Sequence, residues 1–381
     1  MRMEKNAVID HIKQQKEEML VFLKKIVLLE SPTQEKKHTD RCMSFIVKKF
    51  SELNTTCQCC PQKKIGDIYI IRHPAFIKKR GLSPLLVLTH VDTVWPVGKI
   101  KTMPIRMDNN KLYGPGALDM KAGIVMAYFA LKAISDLRLE NRRDIIVFIN
   151  SAEETGHESA AKIIKELAEE ASVGLCLEPA LPGGALKLQR KGRLVLRLSA
   201  YGKAAHAGSP EKGINAIDEL IYQLNNLKNV ENENITVNIG KIHGGEQINM
   251  VADNAEALID IRFWSDNQKQ KILEQITRLK PVQTGAYIEH RIEKINPPME
   301  KSEKSTALLD RIIKIASSLG IQIETGRTGG SSDGAAAADL GLPVIDGLGP
   351  DGDGIHAENE HILIPSLIGR TALLTELFHH L

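Results

Sequence analysis

Residues 85–92 read LLVLTHVD, an apolar run that ends in His90 and Asp92. Similar runs stand at residues 145–154, IIVFINSAEE, and at residues 173–178, VGLCLE. A short, uninterrupted apolar run is typical of a strand that is buried on both faces of a sheet. We therefore predict buried strands whose carboxyl ends lead into histidines or carboxylates.

Helical stretches separate these runs. Residues 121–137 are rich in Ala, Met and Leu and predict a helix, and residues 343–345 predict a further strand late in the chain. The first ~30 residues also have helical spacing, which ends at the SPT sequence of residues 31–33. Short strands that alternate with helices predict an α/β fold with a mostly parallel sheet that helices cover on both faces.

The middle of the chain has a different pattern. Between residues 189 and 296, alternating apolar segments and helical segments follow one another in the order β-α-β-β-α-β, the ferredoxin-like unit. The α/β pattern resumes after the NPP sequence of residues 296–298, which is typical of a hinge. We therefore predict a discontinuous domain, residues 1–188 and 297–381, with a smaller domain, residues 189–296, inserted into it.

The composition argues against several classes of function. A chain of 381 residues with 43% hydrophobic and 25% charged residues is ordinary for a globular protein of two domains. A formal net charge of +3 gives no reason to expect nucleic acid or a membrane as a partner. We find no signal-peptide pattern and no apolar run near the ~18 residues of a membrane span, so we predict a cytoplasmic protein.

The polar residues that follow the predicted strands include metal-binding types. The carboxyl ends of parallel strands lie at one edge of a sheet, and the helix that starts near Asp119 begins at the same edge. The pattern therefore gathers these potential ligands: His90, Asp119, Glu154, Glu178 and His356. Carboxylates at close quarters repel one another, which a divalent cation relieves. Zinc suits imidazole and carboxylate groups, with cobalt or manganese as alternatives, and this set suits two ions that share one bridging carboxylate.

Each of these residues also has an ordinary structural explanation. A single loop histidine is usually a surface residue, the Glu153-Glu154 pair could be solvated, and Asp119 alone could cap a helix.

The DGDG sequence of residues 351–354 hints at a calcium loop, but position 12 of that loop would be Ile362 instead of glutamate.

The cysteines form a separate candidate site. Cys57, Cys59 and Cys60 lie close together in sequence, and the chain has five cysteines in all. A thiolate zinc site normally draws on two Cys/His pairs, and no second pair stands at zinc-finger spacing. We therefore predict no metal at this cluster, while a metal-storage or thiol-redox role stays as an alternative that rests on it.

Several motifs occur in one order along the chain: THVDTV around His90, LYGPGALDMKAG around Asp119, NSAEETG around Glu153, LEP at Glu178, GKAAHAG around His206 and GIHAENE around His356. Together they resemble the dizinc metallopeptidase family of glutamate carboxypeptidases, aminoacylases, acetylornithine deacetylases and succinyl-diaminopimelate desuccinylases. The bacterial folate-cleaving glutamate carboxypeptidase looks nearest.

The resemblance implies roles for the potential ligands. Two zinc ions per subunit would share Asp119, with His90 and Glu178 completing one site. Glu154 and His356 would complete the other. The peptide bond after Asp119 is typically cis in this family, although Met120 stands here where an aspartate is frequent.

The resemblance also implies catalytic and substrate-binding residues. Glu153 would be the general base, and Asp92 would orient His90 through the other ring nitrogen. The inserted domain would be a lid and dimerisation domain, so that we expect a homodimer. Its His206, Asn249 and Arg262, together with Gly330 from the larger domain, match substrate-contacting positions of the family.

The function that the resemblance implies is hydrolysis of an amide bond next to a free carboxylate, by a metal-bridging water with Glu153 as base. The substrate would be a small peptide or an N-acyl amino acid, with glutamate as the expected released residue. An N-acyl amino acid deacylase or desuccinylase is the alternative within the family. A non-catalytic binding or dimerisation module is a more distant one, since no ligand or base of the family pattern is missing.

Overall fold

The computed structural model describes residues 2–77 and 81–381. The α-helices are α1 (Arg2–Gln14), α2 (Lys16–Leu28), α3 (Lys36–Phe50), α4 (Ala122–Asp136), α5 (Glu158–Glu170), α6 (Ala216–Lys228), α7 (Asp266–Thr277), α8 (Glu303–Ser318), α9 (Asp333–Ala338) and α10 (Ile364–His380). The strands are β1 (Thr56–Cys60), β2 (Ile68–His73), β3 (Leu85–His90), β4 (Arg106–Asp108), β5 (Lys111–Tyr113), β6 (Ile145–Asn150), β7 (Val173–Cys176), β8 (Leu186–Arg190), β9 (Gly192–Tyr201), β10 (Thr236–Gly244), β11 (Asn254–Phe263), β12 (Tyr287–Asn296), β13 (Thr325–Thr328), β14 (Val344–Ile345), β15 (Gly352–Asp353) and β16 (His361–Leu363).

The chain divides into two compact units. The larger unit comprises Met1–Leu188, Lys301–Arg327 and Ser332–Leu381, and the smaller comprises Gln189–Glu300 and Thr328–Ser331. The sequence pattern places residues 297–300 and the segment Thr328–Ser331 in the larger domain, but both group with the smaller unit. Among the described residues, no helix combines the length and the apolar character that a membrane span requires.

The larger unit is built on a mixed sheet in the strand order β1-β2-β6-β3-β7-β14. The strand β3 pairs in parallel with β6 and β7, and β7 pairs in parallel with β14. The prediction of an α/β fold with a mostly parallel sheet is confirmed in this form. The antiparallel strands β1 and β2 at one edge were not predicted.

The central strands are buried along their whole length. Every residue of β3 and of β6 is buried, because helices cover both faces of the sheet. The helix α4 is buried on nearly all sides and packs against α2 and α10. Leu88 in β3 is 0% exposed, and replacing such a leucine by alanine costs about 2–5 kcal/mol of stability.

A second, antiparallel sheet of the larger unit has the strand order β15-β16-β5-β4. Its strands are only two or three residues long, and the sequence did not predict them. The pairing of β16 with β5 brings the segment after His356 next to the turn that contains Asp119. This sheet therefore connects two parts of the chain that carry potential ligands.

The smaller unit has an antiparallel sheet in the order β10-β11-β9-β12, with α6 and α7 packed on it. Its elements follow one another as β9-α6-β10-β11-α7-β12, the order that the sequence pattern predicted. Along β11 the buried residues alternate with half-buried ones, so Ile259, Ile261 and Phe263 enter the core. The opposite face carries ion pairs, such as Arg197 with Glu256 and Glu293.

Candidate metal centre

His90 ends the buried strand β3 and is itself 1% exposed. Its Nδ1 lies 3.0 Å from the backbone oxygen of Asp92. Because a carbonyl oxygen can only accept, Nδ1 must donate this hydrogen bond, which directs Nε2 toward the carboxylates. That nitrogen lies 3.2 Å from Oδ1 of Asp119 and 3.4 Å from Oε1 of Glu178.

Asp119 lies in a tight turn, Ala117–Lys121, that leads into α4, and its peptide bond to Met120 is cis. Its two carboxylate oxygens face different histidines. Oδ1 faces His90, and Oδ2 lies 3.4 Å from Nε2 of His356. One carboxylate therefore stands between two imidazoles, which is the arrangement of a bridging ligand.

His356 completes a second group of contacts. Its Nε2 lies 3.3 Å from Oε2 of Glu154, which follows the carboxyl end of β6. The backbone of His356 has a φ of 59°, in the left-handed region that non-glycine residues adopt rarely and often at functional sites. The nearest contacts thus form two sets around Asp119: His90 with Glu178, and His356 with Glu154.

The spacing of these ligand atoms fits a divalent metal ion. The nitrogen and oxygen atoms are 3.2–3.4 Å apart, longer than the about 2.7–2.9 Å of a typical charge-assisted hydrogen bond. Two ligands at about 2.05 Å from one tetrahedral zinc ion would be separated by about 3.3 Å. The residues therefore fit such an ion by spacing as well as by donor type.

Two overlapping groups of side chains have potential ligand atoms within 4.8 Å of one another. One group is His90, Asp119 and Glu154, and the other is His90, Glu153 and Glu178. This grouping places Glu154 with His90 and includes Glu153. The nearest contacts define the two sets, because the ligand atoms of one zinc ion lie closer together than 4.8 Å.

The pKa values show how strongly the cluster attracts positive charge. Hydrogen bonds to Asp119 and Glu154 raise the pKa of His356 to about 10. Burial lowers the pKa of His90, but Asp119, Asp92 and Glu178 outweigh it and hold this pKa well above 6.5. The two histidines would thus hold protons in the place that a divalent cation can take.

The pKa of Glu153 is raised, as is that of the neighbouring Glu154. Burial, and next the negative charge of Glu178, raise the pKa of Glu153 well above the ordinary value. Its backbone N–H donates to Oδ1 of Asp92 at 3.1 Å, and that of Glu154 donates to Oδ2 at 3.2 Å. The Glu153-Glu154 pair is therefore fixed through its backbone.

Asp92 has a task that the sequence did not predict. The sequence predicts that its side chain orients His90; Oδ1 of Asp92 lies 3.4 Å from Nδ1 of His90, and the backbone oxygen of Asp92 lies closer, at 3.0 Å. The carboxylate is 0% exposed and accepts from Glu153, from Glu154 and from the hydroxyl of Thr33 at 2.7 Å. The carboxylate therefore also acts as a clamp on the segment that carries the predicted base.

Sequence reasoning missed other polar residues around the cluster. Asp333 accepts a hydrogen bond from Asn150 at the end of β6, and burial raises the pKa of Asp333 to about 7. Glu360 binds the backbone of the turn that contains Asp119. Both residues act on segments that are distant in sequence, so a local pattern gives no signal; only the position of Glu360 within the GIHAENE motif could have drawn attention to it.

The smaller unit contains the predicted substrate-contacting residues. His206 and Asn249 are exposed and lie on neighbouring segments, since the N–H of Ala207 donates to the oxygen of Asn249 at 2.9 Å. Arg262 is half-buried and donates to Asp260 at 2.6 Å and to the oxygen of Gly329 at 3.3 Å.

Gly330 lies in the same unit as these residues. Its oxygen accepts from Arg190 at 3.3 Å. The smaller unit therefore brings His206 next to Asn249, and Arg262 next to the loop of Gly330.

Comparisons with known proteins find similar sequences and similar folds. Carboxypeptidase G2 of Pseudomonas sp. (strain RS-16) is 28% identical over 359 residues, which are 91% of this chain and 85% of that protein. The crystal structure of aminopeptidase PepT from Bacillus cereus ATCC 10987 matches with a TM-score of 0.80 and 21% identity, over 96% of this chain and 98% of that one. The YXEP protein of Bacillus subtilis, described as a dinuclear metal binding peptidase from the M20 family, matches with a TM-score of 0.71 and 18% identity, over 96% and 98%.

The sequence model of one family covers most of the chain. It is described as peptidase family M20/M25/M40 and matches residues 86–380. The resemblance that the motifs indicated is thereby confirmed. The chain belongs to peptidase family M20/M25/M40.

Proposed function

We propose that the chain is a dinuclear zinc amidohydrolase of the carboxypeptidase type, which cleaves an amide bond next to a free carboxylate. The observation that carries this proposal is the position of Asp119, whose two oxygens face His90 and His356 separately. The relative named carboxypeptidase G2 and the neighbour described as a dinuclear metal binding peptidase support it.

The ligand sets follow the nearest contacts. His90, Glu178 and Asp119 would hold one ion, and Asp119, Glu154 and His356 the other. A divalent ion in such a site supplies Lewis acidity, which polarises a carbonyl group and acidifies water. Imidazole with carboxylate favours zinc, and cobalt or manganese would also be accepted.

Glu153 is the proposed general base. Its raised pKa suits a group that must take a proton at one step and return it at another. The side chain accepts a proton from the attacking water and then donates it to the leaving nitrogen. Its backbone bond to Asp92 keeps the carboxylate in position through both transfers.

The smaller unit is the proposed source of substrate contacts. Arg262 would bind the free carboxylate of the substrate, a task that suits a bidentate guanidinium group. Asp260 already holds Arg262 at 2.6 Å, which reduces the side-chain entropy that binding would cost. Asn249 and Gly330 would add hydrogen bonds, and His206 would stabilise the oxyanion in the partner site of a homodimer.

The test of the proposed activity is a hydrolysis panel with zinc, cobalt and manganese. The panel contains dipeptides, N-acyl amino acids, succinylated amino acids and folate-type conjugates with glutamate. We expect metal-dependent cleavage, with the free-acid peptides and glutamate conjugates preferred. Preferred cleavage of acetylated or succinylated substrates would instead establish the deacylase alternative, and no cleavage of any amide would contradict an enzymatic function.

The test of the proposed base is Glu153→Gln, which keeps the size of the side chain and removes its basicity. We expect kcat to fall at least about 10²-fold while both metal ions remain bound. Asp119→Ala should instead lose metal. Glu158, in the first turn of α5, offers a matched control, since Glu158→Gln changes an exposed residue outside the cluster. A Glu153→Gln enzyme with near-normal kcat would refute the assignment.

A further inference from the structure

We propose that Glu360 is a positioning residue, which holds the turn of Asp119 and the loop of His356 in the shape that metal binding requires. This inference rests on the proposed metal site. Glu360 stands just before β16 and is 1% exposed. Among the described residues, its side chain accepts hydrogen bonds from backbone N–H groups and from Trp95, and from no side chain of a proposed metal ligand. Its action is therefore indirect, through the backbone.

The carboxylate of Glu360 accepts four hydrogen bonds. Oε1 accepts from the backbone N–H of Leu118 at 2.9 Å and of Asp119 at 3.1 Å. Oε2 accepts from the backbone N–H of Gly116 at 2.9 Å and from the indole of Trp95 at 3.1 Å. Two of these donors belong to the turn that carries the bridging carboxylate, and Gly116 directly precedes that turn.

The turn needs an external acceptor of this kind. The first N–H groups of a helical turn have no carbonyl partner inside the turn, and a buried N–H without a partner is costly. Glu360 satisfies these groups in a place that water does not reach. In doing so it fixes the backbone of Asp119 itself, and with it the direction of the carboxylate.

The same residue reaches the second ligand loop through its own backbone. Its N–H donates to the oxygen of Ala357 at 3.0 Å, directly after His356, and its oxygen accepts from Gly114 at 3.2 Å. A displacement of Glu360 would therefore move both segments. His356 and Asp119 face each other across 3.4 Å, so a shift of a few tenths of an ångström in either segment changes the distance between them appreciably.

Only a group that accepts at both oxygens fits this position. Glutamine has nearly the same shape, but its amide nitrogen can only donate. In either orientation of the amide, that nitrogen would face two N–H donors. Glu360→Gln thus keeps the volume of the side chain and breaks the contacts to the turn.

Glu358 provides a matched control within the same motif. It is also a glutamate, but its side chain is 78% exposed and pairs with Lys99 at 2.6 Å on the surface. Glu358→Gln should leave the turn of Asp119 unchanged. Comparison of the two variants separates loss of a negative charge near the site from loss of the buried contacts.

The experiment measures metal binding rather than activity. Each protein is freed of metal by chelation and then titrated with Co²⁺, whose visible absorption reports its coordination, and the thermal midpoint of the metal-free form is recorded. Loss of a residue that orients metal ligands typically lowers metal affinity about 10- to 100-fold. We expect a loss of this size for Glu360→Gln and none for Glu358→Gln.

The outcomes separate failure of the proposed metal site from failure of the positioning role of Glu360. If the unaltered protein binds no Co²⁺, the proposed metal site fails, and this inference fails with it. If it binds Co²⁺ and Glu360→Gln binds within about twofold of it, the metal site stands and the positioning role is refuted. A lowered thermal midpoint with unchanged binding would show that Glu360 has a structural role only.

A second variant covers the case in which Glu360→Gln does not fold. Glu360→Asp retains a group that accepts at both oxygens but shortens its reach by one methylene. We expect it to fold and to bind Co²⁺ more weakly than the unaltered protein, and more strongly than the glutamine variant where that variant can be measured. Binding by Glu360→Asp equal to that of the unaltered protein would contradict the inference.

Discussion

The carboxylate of Asp92 offers a sharp test of how the site is organised. Its oxygens accept from the backbone N–H groups of Glu153 and Glu154, while its backbone oxygen accepts from His90. Asp92→Asn keeps the backbone and the size of the side chain, but it replaces one acceptor by a donor. The variant should therefore disturb Glu153 and Glu154 and leave the hydrogen bond of His90 intact.

The structure sets the size of the effect. The hydroxyl of Thr33, which donates to Asp92 at 2.7 Å, can rotate and accept from an amide, but a backbone N–H cannot. At least one of the two backbone bonds is thus lost in either orientation of the asparagine. A buried N–H without a partner costs about 1–3 kcal/mol, and the same loss in the transition state would lower kcat roughly 5- to 150-fold.

The assay combines kcat, metal content and thermal stability for Asp92→Asn and for Asp108→Asn, a change on the exposed strand β4. We expect kcat to fall by the stated factor while metal content stays close to that of the unaltered protein. The alternative, in which the Asp92 side chain orients His90, predicts loss of metal and recovery of kcat in excess metal. Recovery of that kind, or an unchanged kcat, would refute the clamp.

Two further predictions concern the smaller unit. Arg262→Ala should lower kcat/KM for a free-acid substrate roughly 10- to 150-fold, since a hydrogen bond to a charged group contributes about 1.5–3 kcal/mol. The unaltered enzyme should not cleave the carboxy-amidated analogue. Equal cleavage of acid and amide would mean that Arg262 does not bind a substrate carboxylate. Inactive His206→Ala protein, mixed with inactive Glu153→Gln protein under subunit exchange, should regain part of the activity, because each mixed dimer has one intact composite site; verified mixed dimers without activity would exclude a site shared between subunits.

The central part of the fold could be predicted because its signals are local. The strands β3 and β6 are continuous apolar runs, and the predicted helix at residues 121–137 differs from α4 by a residue at each end. The helical stretch at the start of the chain divides into α1 and α2 at Gln15, where the sequence has neither proline nor glycine. No local feature indicated that break.

Short strands could not be predicted in the same way. The strand β1 is mostly exposed and contains Cys57, Cys59 and Cys60, which the structure shows as free thiols. Its pairing with β2 is a contact between segments, which composition does not encode. The strands β4, β5, β15 and β16 are too short for a period to appear.

Some residues of the candidate site could likewise be predicted from local sequence, and others could not. His90 and Glu178 could be predicted because each follows an apolar run, and the carboxyl ends of parallel strands are where ligands bind. The tasks of Asp92 and Glu360 depend on backbone donors that lie 61 and 241 positions away. A carboxylate that binds distant N–H groups looks in sequence like any other acidic residue.

The site thus relies on two kinds of carboxylate. Asp119, Glu154 and Glu178 lie next to Nε2 of a histidine. Asp92 and Glu360 accept hydrogen bonds from the backbone of the segments that carry Asp119, Glu153 and Glu154. All of them add negative charge in a region where burial makes charge costly. A bound cation favours the folded arrangement by RT ln(1 + [L]/Kd), about 2.7 kcal/mol at a hundredfold excess over Kd. Asp92 and Glu360 hold the ligand segments in place, which reduces the rearrangement that metal binding requires. Their negative charge and their hydrogen bonds therefore both favour metal binding.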